Sequence, residues 1–163
     1  MKTLSIAIIA KNEEALIARC LESVQGADQI VVVDTGSTDQ TKQIAESLNA
    51  EVHEFPWVDD YSAARNAALK HCTGDYILSI DCDEFLEEGG IEKIREVIES
   101  AQSGYTIRMK SEEFDQYHHP VRLFKRDEHI FWIGRGHEAV NVQGTYTDIL
   151  ITYGYSPAHT SDP

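Results

Sequence analysis

The chain has 163 residues, with 14 Lys and Arg against 28 Asp and Glu, a formal net charge of −14. That length suits one domain with its own core, and 42% hydrophobic with 26% charged residues excludes wholesale disorder. The acidic balance argues against duplex nucleic acid and anionic membrane surfaces as partners, since both need a basic footprint, but leaves room for an anionic ligand held through a cation.

Residues 4–10 are a short, nearly continuous apolar run, the pattern of a strand covered on both faces. The run meets Lys11-Asn12-Glu13-Glu14 with no small-residue cleavage site, so it reads as a strand and not a signal peptide. Asn12 is placed to cap the helix that follows, where Leu16, Ile17, Cys20, Leu21 and Val24 share one face and Gly26 suits the end. Residues 30–33 read as a second buried strand ending at Asp34. Thr35-Gly36-Ser37 turns the chain, and Ser37 with Gln40 suggests a capping box for a helix carrying Ile44, Ala45 and Leu48 inward and stopping at Asn49. Residues 52–55 form a third strand, broken by Pro56. An Ala-rich helix over 62–71 follows, with Asp60 as its cap. Residues 76–80 form a fourth strand, followed at once by Asp81-Cys82-Asp83-Glu84. Ile91, Ile94, Val97 and Ile98 mark one more amphipathic helix.

Strands and helices thus alternate up to residue 101, which argues for an α/β fold with a parallel, doubly wound sheet. After Gly104 the segments 105–110, 121–125, 130–133, 138–142 and 149–153 are short, β-rich and aromatic, and are expected to add antiparallel strands at the sheet edge. The shift near residue 103 reads as a change of role within a single domain spanning 1–163, with a ligand-binding half (1–103), a β-rich half (104–155) and a polar tail (156–163). Cys20, Cys72 and Cys82 have no CxxC spacing, which argues against a zinc site or disulfide framework and for a reducing, cytoplasmic setting. No stretch approaches the ~20 apolar residues of a membrane span.

In an open parallel sheet, ligands bind beyond the carboxyl ends of the strands. That rule gathers Lys11, Asn12 and Glu13, then Asp34 and its turn, then Asp59, Asp60, Arg65 and Asn66, then Asp81, Asp83 and Glu84, onto one rim. Asp81 and Asp83 repel each other where a buried strand runs out. A hard cation such as Mg²⁺ or Mn²⁺, sharing its shell with substrate phosphates, relieves that repulsion. The plainer alternative is a turn cap at Asp81 and a solvated Asp83. An EF-hand fails, because Phe85 and Leu86 stand where an oxygen ligand and Gly are required. Asp34 stands where nucleotide folds set a carboxylate against base or ribose, or else caps its own turn; that turn is neither a Walker loop nor GxGxxG. Arg65 can aim its fork at a phosphate or stack on a base, or pair at the surface with Asp59 or Asp60.

Residues 5–14 (SIAIIAKNEE), 31–39 (VVVDTGSTD), 60–66 (DYSAARN) and 76–84 (YILSIDCDE), in this order and spacing, resemble the family 2 glycosyltransferases. Arg122-Leu123-Phe124 and Gly136-His137-Glu138 resemble the bacterial branch related to lipopolysaccharide core and peptide glucosyltransferases. The resemblance covers nearly the whole chain. It implies a GT-A (Rossmann-like) sandwich, and transfer of a hexose from a UDP-sugar, with inversion, to a glycan, lipopolysaccharide or peptide hydroxyl.

The resemblance also implies residue roles. Asp34 contacts uracil or ribose, together with groups near Ala10 and Asn12, with Glu13, Gly36 and Cys82 in the same nucleotide-sugar site. Arg65 lies by the base and diphosphate. Asp83 is the main metal contact, and Asp81 touches ribose or metal-bound water. Glu138, or else Glu84, is the base, and His137 and Arg122 face acceptor or diphosphate. Two departures stand out. Thr152 occupies a place where relatives carry a metal-completing His, with His159 as a substitute candidate. Catalytic domains of this kind also usually run longer, so a complete donor half and a short acceptor half are expected. A non-catalytic nucleotide-sugar binding module is the alternative from another class. A sugar-nucleotide pyrophosphorylase should carry a Gly-rich basic loop after strand one, where Lys11-Asn12-Glu13-Glu14 has no glycine.

Overall fold

A computed structural model describes residues 1–154 except Gly136. Gly136, His159 and the tail over 156–163 therefore lie outside the described residues. The first half runs β1 (Leu4–Ala10), α1 (Ile17–Ser23), β2 (Gln29–Asp34), α2 (Thr41–Ser47), β3 (Glu51–Glu54), α3 (Tyr61–His71), β4 (Tyr76–Ser79), β5 (Glu84–Leu86) and α4 (Gly90–Ile98). The second half runs β6 (Gly104–Thr106), β7 (Arg108–Ser111), β8 (Tyr117–His118), β9 (Val121–Lys125), β10 (Trp132–Ile133), β11 (Ala139–Val140) and β12 (Leu150–Tyr153).

The main sheet has the order β3-β2-β1-β4-β9-β6. Its first four strands are parallel, and β9 and β6 join antiparallel to their neighbours, as the sequence led us to expect. β1 lies between β2 and β4, covered on both faces, which is why it reads as an unbroken apolar run. Leu4, Ile6, Ile8 and Ala10 pack into one core cluster with Ile17, Leu21 and Ile94, from α1 and α4. Ala7 packs into the other with Ala68 of α3, Ile77 and Trp132. A smaller sheet, β5-β12-β7-β8, and the hairpin β10-β11 complete the fold. Register pairs Ala10 with Asp34 and Ala7 with Ser79, so the chain leaves β1, β2 and β4 along one rim.

Several local expectations need correcting. Asn12 does not cap α1, which starts at Ile17 with no side-chain cap. Asn12 takes φ 53°, accepts from the Thr38 N–H at 2.8 Å, and donates its own N–H to Ser37 Oγ at 2.8 Å, tying the end of β1 to the turn after β2. The capping box of Ser37 with Gln40 does not form, because the Gln40 N–H donates to Glu14 Oε2 at 3.0 Å. Asp39 instead accepts from the Thr41 N–H at 3.0 Å. Asp60 does cap α3, accepting from Ala63 N–H at 3.2 Å. The expected strand over 105–110 splits at Ile107 between two sheets, and β5 begins inside the acidic run that reads as loop.

Candidate active site

A cleft of about 550 Å³ opens at the carboxyl ends of the parallel strands. Ile9 to Glu13 and Thr35 form one wall, Trp57, Tyr61 and Arg65 another, and Asp81, Cys82, Asp83 and Glu138 the third. The alternation of strands and helices brings four of these stretches together. Glu138 arrives separately, on the hairpin.

Asp34, at the end of β2, is only 2% exposed. Its Oδ1 accepts from the N–H groups of Gly36 (2.9 Å) and Ser37 (2.8 Å), while Oδ2 is buried with no partner among the described residues. Gly36 makes the turn possible, since its φ of 130° suits no side chain. One oxygen of Asp34 thus caps its own turn, as one of the two sequence readings expects, and the other is left over. A buried acceptor without a donor costs about 1–3 kcal/mol, which a ligand N–H or O–H would offset.

Arg65 projects from α3 and is 8% exposed. It does not pair with Asp59 or Asp60. Its fork donates to both oxygens of Asp81, at 2.7 and 3.2 Å, and its Nε donates to Glu138 at 3.2 Å. Its guanidinium carbon lies 4.9 Å from the Trp132 ring centroid. Burial opposes its charge, but Asp81 and Glu138 more than compensate and push its pKa above the ordinary arginine value.

Arg122 and Glu84 form a second pair behind the acidic turn. Arg122 donates to both Glu84 oxygens (2.9 and 3.0 Å) and to the Ser79 carbonyl (3.1 Å), and lies 3.8 Å from Asp81 Oδ2. Glu84 also accepts from the Asp81 N–H at 2.7 Å. Burial raises its pKa, with Arg122 opposing. Neither residue lines the cleft. Glu84 and Arg122, expected as alternative base and as acceptor or diphosphate contact, thus pair with each other outside the cleft lining and brace the acidic turn. The Cys82 thiol likewise turns inward, 3.6 Å from the Ile9 carbonyl, and burial raises its pKa well above normal, so Cys82 offers the cleft only its backbone. His137 is exposed and outside the cleft lining, unlike its neighbour Glu138.

Asp81, Asp83 and Glu84 each offer an oxygen within 4.8 Å of the others. This all-oxygen set fits a hard cation such as Mg²⁺ or Mn²⁺. Asp81 and Asp83 line the cleft, whereas Glu84 lies behind them. Thr152 sits in β12 opposite Phe85, and the Gly154 N–H that follows donates to the Asp83 carbonyl at 3.1 Å, so this strand abuts the acidic turn. Sequence reasoning passed over Trp57 and Tyr61, whose rings meet edge to face with centroids 4.9 Å apart on the cleft wall. Two aromatics just beyond the end of a parallel strand were the available signal.

An open, mainly parallel sheet with an oxygen-rich cleft at its carboxyl rim defines an α/β ligand-binding domain of the doubly wound class. Residues 5–154 match glycosyl transferase family 2, and the chain belongs to that family. It is 35% identical over 139 residues to an uncharacterized glycosyltransferase of Rickettsia typhi, covering 77% of this chain and 47% of that protein. It is 30% identical over 144 residues to the SPbeta prophage-derived glycosyltransferase SunS of Bacillus subtilis, covering 83% and 34%. It is also similar to S. aureus TarS in complex with UDP-GlcNAc, with TM-score 0.61 and 29% identity over 67% of this chain and 35% of that one. Glucosyl-3-phosphoglycerate synthase from Mycobacterium tuberculosis, in complex with Mn²⁺ and UDP, shares the fold at TM-score 0.57 and 23% identity, over 68% and 44%. The chain spans between about a third and about a half of the length of these relatives. The fold is GT-A-like.

Proposed function

We propose that this chain carries the donor site of a metal-assisted, inverting glycosyltransferase that takes a hexose from a UDP-sugar and passes it to a hydroxyl acceptor. The observation that carries the reading is the Oδ2 of Asp34, buried without a partner among the described residues beside Thr35 of the cleft lining and on the same rim as the acidic turn. An acceptor atom so placed suits an N–H or O–H of a nucleoside. The likeness to TarS, whose structure holds UDP-GlcNAc, supports uridine as that nucleoside.

In this reading Thr35, Trp57 and Tyr61 flank the base, and the backbone of Ala10 to Glu13 follows the nucleoside. Lys11 and Arg65 bring positive charge to the diphosphate end. Asp83, with Asp81, would hold Mg²⁺ or Mn²⁺, which when bound would stabilise the departing diphosphate as a Lewis acid. Glu138 is the base. It lines the cleft, Arg65 fixes one of its oxygens at 3.2 Å, and it takes the acceptor proton as the hydroxyl attacks. One base without a covalent sugar intermediate gives inversion. Glycan, lipopolysaccharide and peptide hydroxyls all fit this chemistry. The three cysteines, all free thiols, suit a cytoplasmic site of action.

Thr152 favours a second reading, a binding module without turnover, because a hydroxyl is a poorer metal ligand than imidazole. Incubation with UDP-glucose, UDP-galactose and UDP-N-acetylglucosamine in Mn²⁺ separates the two. UDP release from one of them supports the transferase. UDP binding without release from any supports the module. No UDP binding in any condition rejects both.

A further inference from the structure

The hairpin that carries Glu138 has little to hold it in its own strands. Among the described residues β10 and β11 pair as strands only with each other, through Trp132 with Val140 and Ile133 with Ala139, extended by Asn141 bonding Phe131 and His129. An isolated pair this short is not stable in water, so its position depends on what it docks against. That partner is α3. The side-chain amide of Asn66 acts as a missing strand: its Nδ2 donates to the Trp132 carbonyl at 2.9 Å, and its Oδ1 accepts from the Trp132 N–H at 2.8 Å. One turn earlier, Ser62 Oγ donates to the Gly134 carbonyl. Between them Arg65 reaches Glu138 and lies against the Trp132 ring. Ser62, Arg65 and Asn66 are at i, i+3 and i+4, one face of the helix. That face grips the hairpin at Trp132, at its turn, and at Glu138 itself.

The Trp132 ring is also buried, edge-on to Phe124 with centroids 6.5 Å apart. Apolar packing holds the hairpin against the sheet but tolerates sliding. The paired backbone bonds from Asn66 are directional and fix its register.

We propose that Asn66 is a positioning residue for the transfer step: by fastening β10-β11 to α3 it sets where the Glu138 carboxylate stands over Asp81 and Asp83. This rests on reading Glu138 as the base. A base must come within about 2.6–3.2 Å of the proton's heavy atom. A misplacement of 1 Å costs about 10²-fold in rate.

The test uses the full chain as Asn66→Ala, Glu138→Gln and the double variant. It measures turnover of the best UDP-sugar of the panel, UDP affinity in Mn²⁺, and backbone hydrogen exchange over 130–141. Asn66→Ala is expected to lower kcat about 10²-fold, leave UDP affinity and the KM for donor unchanged, and speed exchange over 130–141 but not over 4–10. In the Glu138→Gln background it should cost nothing further, because its effect runs through Glu138. Asn66→Asp keeps the acceptor for the Trp132 N–H but sets an oxygen against the Trp132 carbonyl, so it too should lower turnover and speed exchange over 130–141. If Asn66→Ala does not fold, Asn66→Asp and Ser62→Ala carry the same comparison.

Unchanged exchange over 130–141, an equal fall in UDP affinity, or a full additional loss on top of Glu138→Gln would overturn the proposal. Full turnover by Glu138→Gln alone would instead reject Glu138 as base. If no donor of the panel turns over, the transfer reading falls and the proposal with it, and exchange then reports only the docking of the hairpin.

Discussion

Arg65 comes from the helix after the third parallel strand, and Arg122 from an antiparallel strand of the second half. Both are largely buried, with side chains 10% and 13% exposed, and both grip carboxylates of the Asp81–Glu84 turn. Arg65 holds Asp81 and Glu138 on the cleft wall. Arg122 holds Glu84 behind it, where Glu84 also accepts the Asp81 N–H. The residue type and the bidentate geometry are the same, yet one pair lines the cleft and the other lies behind it. What separates them is the element each comes from, α3 for Arg65 and β9 for Arg122.

The contrast can be broken by removing each side in turn. On the cleft side, Glu138→Gln should lower turnover by about 10²–10⁴-fold while UDP affinity stays at wild type, as read by steady-state kinetics and calorimetry. Equal loss of both would move Glu138 from base to binding residue. On the far side, Arg122→Met should cost stability, about 3–5 kcal/mol by chemical denaturation, because it leaves Glu84 buried without its partner. Its folded pKa then moves further above the unfolded value. The stability is fully present below the unfolded pKa and is lost as pH rises through the folded one, so this variant should recover on acidification. Loss of UDP affinity without loss of stability would place Arg122 in the site.

A smaller effect is expected at the rim itself. Asp34→Asn keeps an oxygen for the Gly36 and Ser37 N–H groups but turns a donor toward the ligand. It should weaken UDP about 10–100-fold, in line with about 1.5–3 kcal/mol for a hydrogen bond to a charged group. The smallest effect is remote from the cleft, where the His53 and His71 rings stack at 3.6 Å. Desolvation and the His53 charge lower the His71 pKa. Its share of stability is present above the unfolded value near pH 6.5 and is lost as pH falls through the folded one. His71→Phe should therefore flatten the acid limb of a thermal-denaturation profile without changing UDP affinity.

The first half was legible because its signals are local. β1, β2 and β4 announce themselves as apolar runs, each followed at once by the polar residues it delivers to the rim. The order of these segments carried the family resemblance that the comparisons then confirmed. The second half was legible only as β-rich. Strands of two to five residues carry too few alternations to show which sheet they join, so β6 and β7 merged in the reading. The same gap hides the pairing of Arg122 with Glu84. Spacing shows that charged residues come near the rim, but not which one another side chain has already claimed. Asn66 was on the rim by spacing. Its bonds to Trp132 join residues 66 positions apart, which no local pattern reveals.

The proposed donor site holds uridine diphosphate around a divalent cation on the Asp34 and Asp83 rim. Calorimetric titration of UDP with and without Mn²⁺, on wild type and Asp83→Ala, tests it most directly. The account predicts that Mn²⁺ tightens UDP binding to wild type and that Asp83→Ala loses this gain. No UDP binding in either condition, or the same Mn²⁺ dependence in Asp83→Ala, would contradict it.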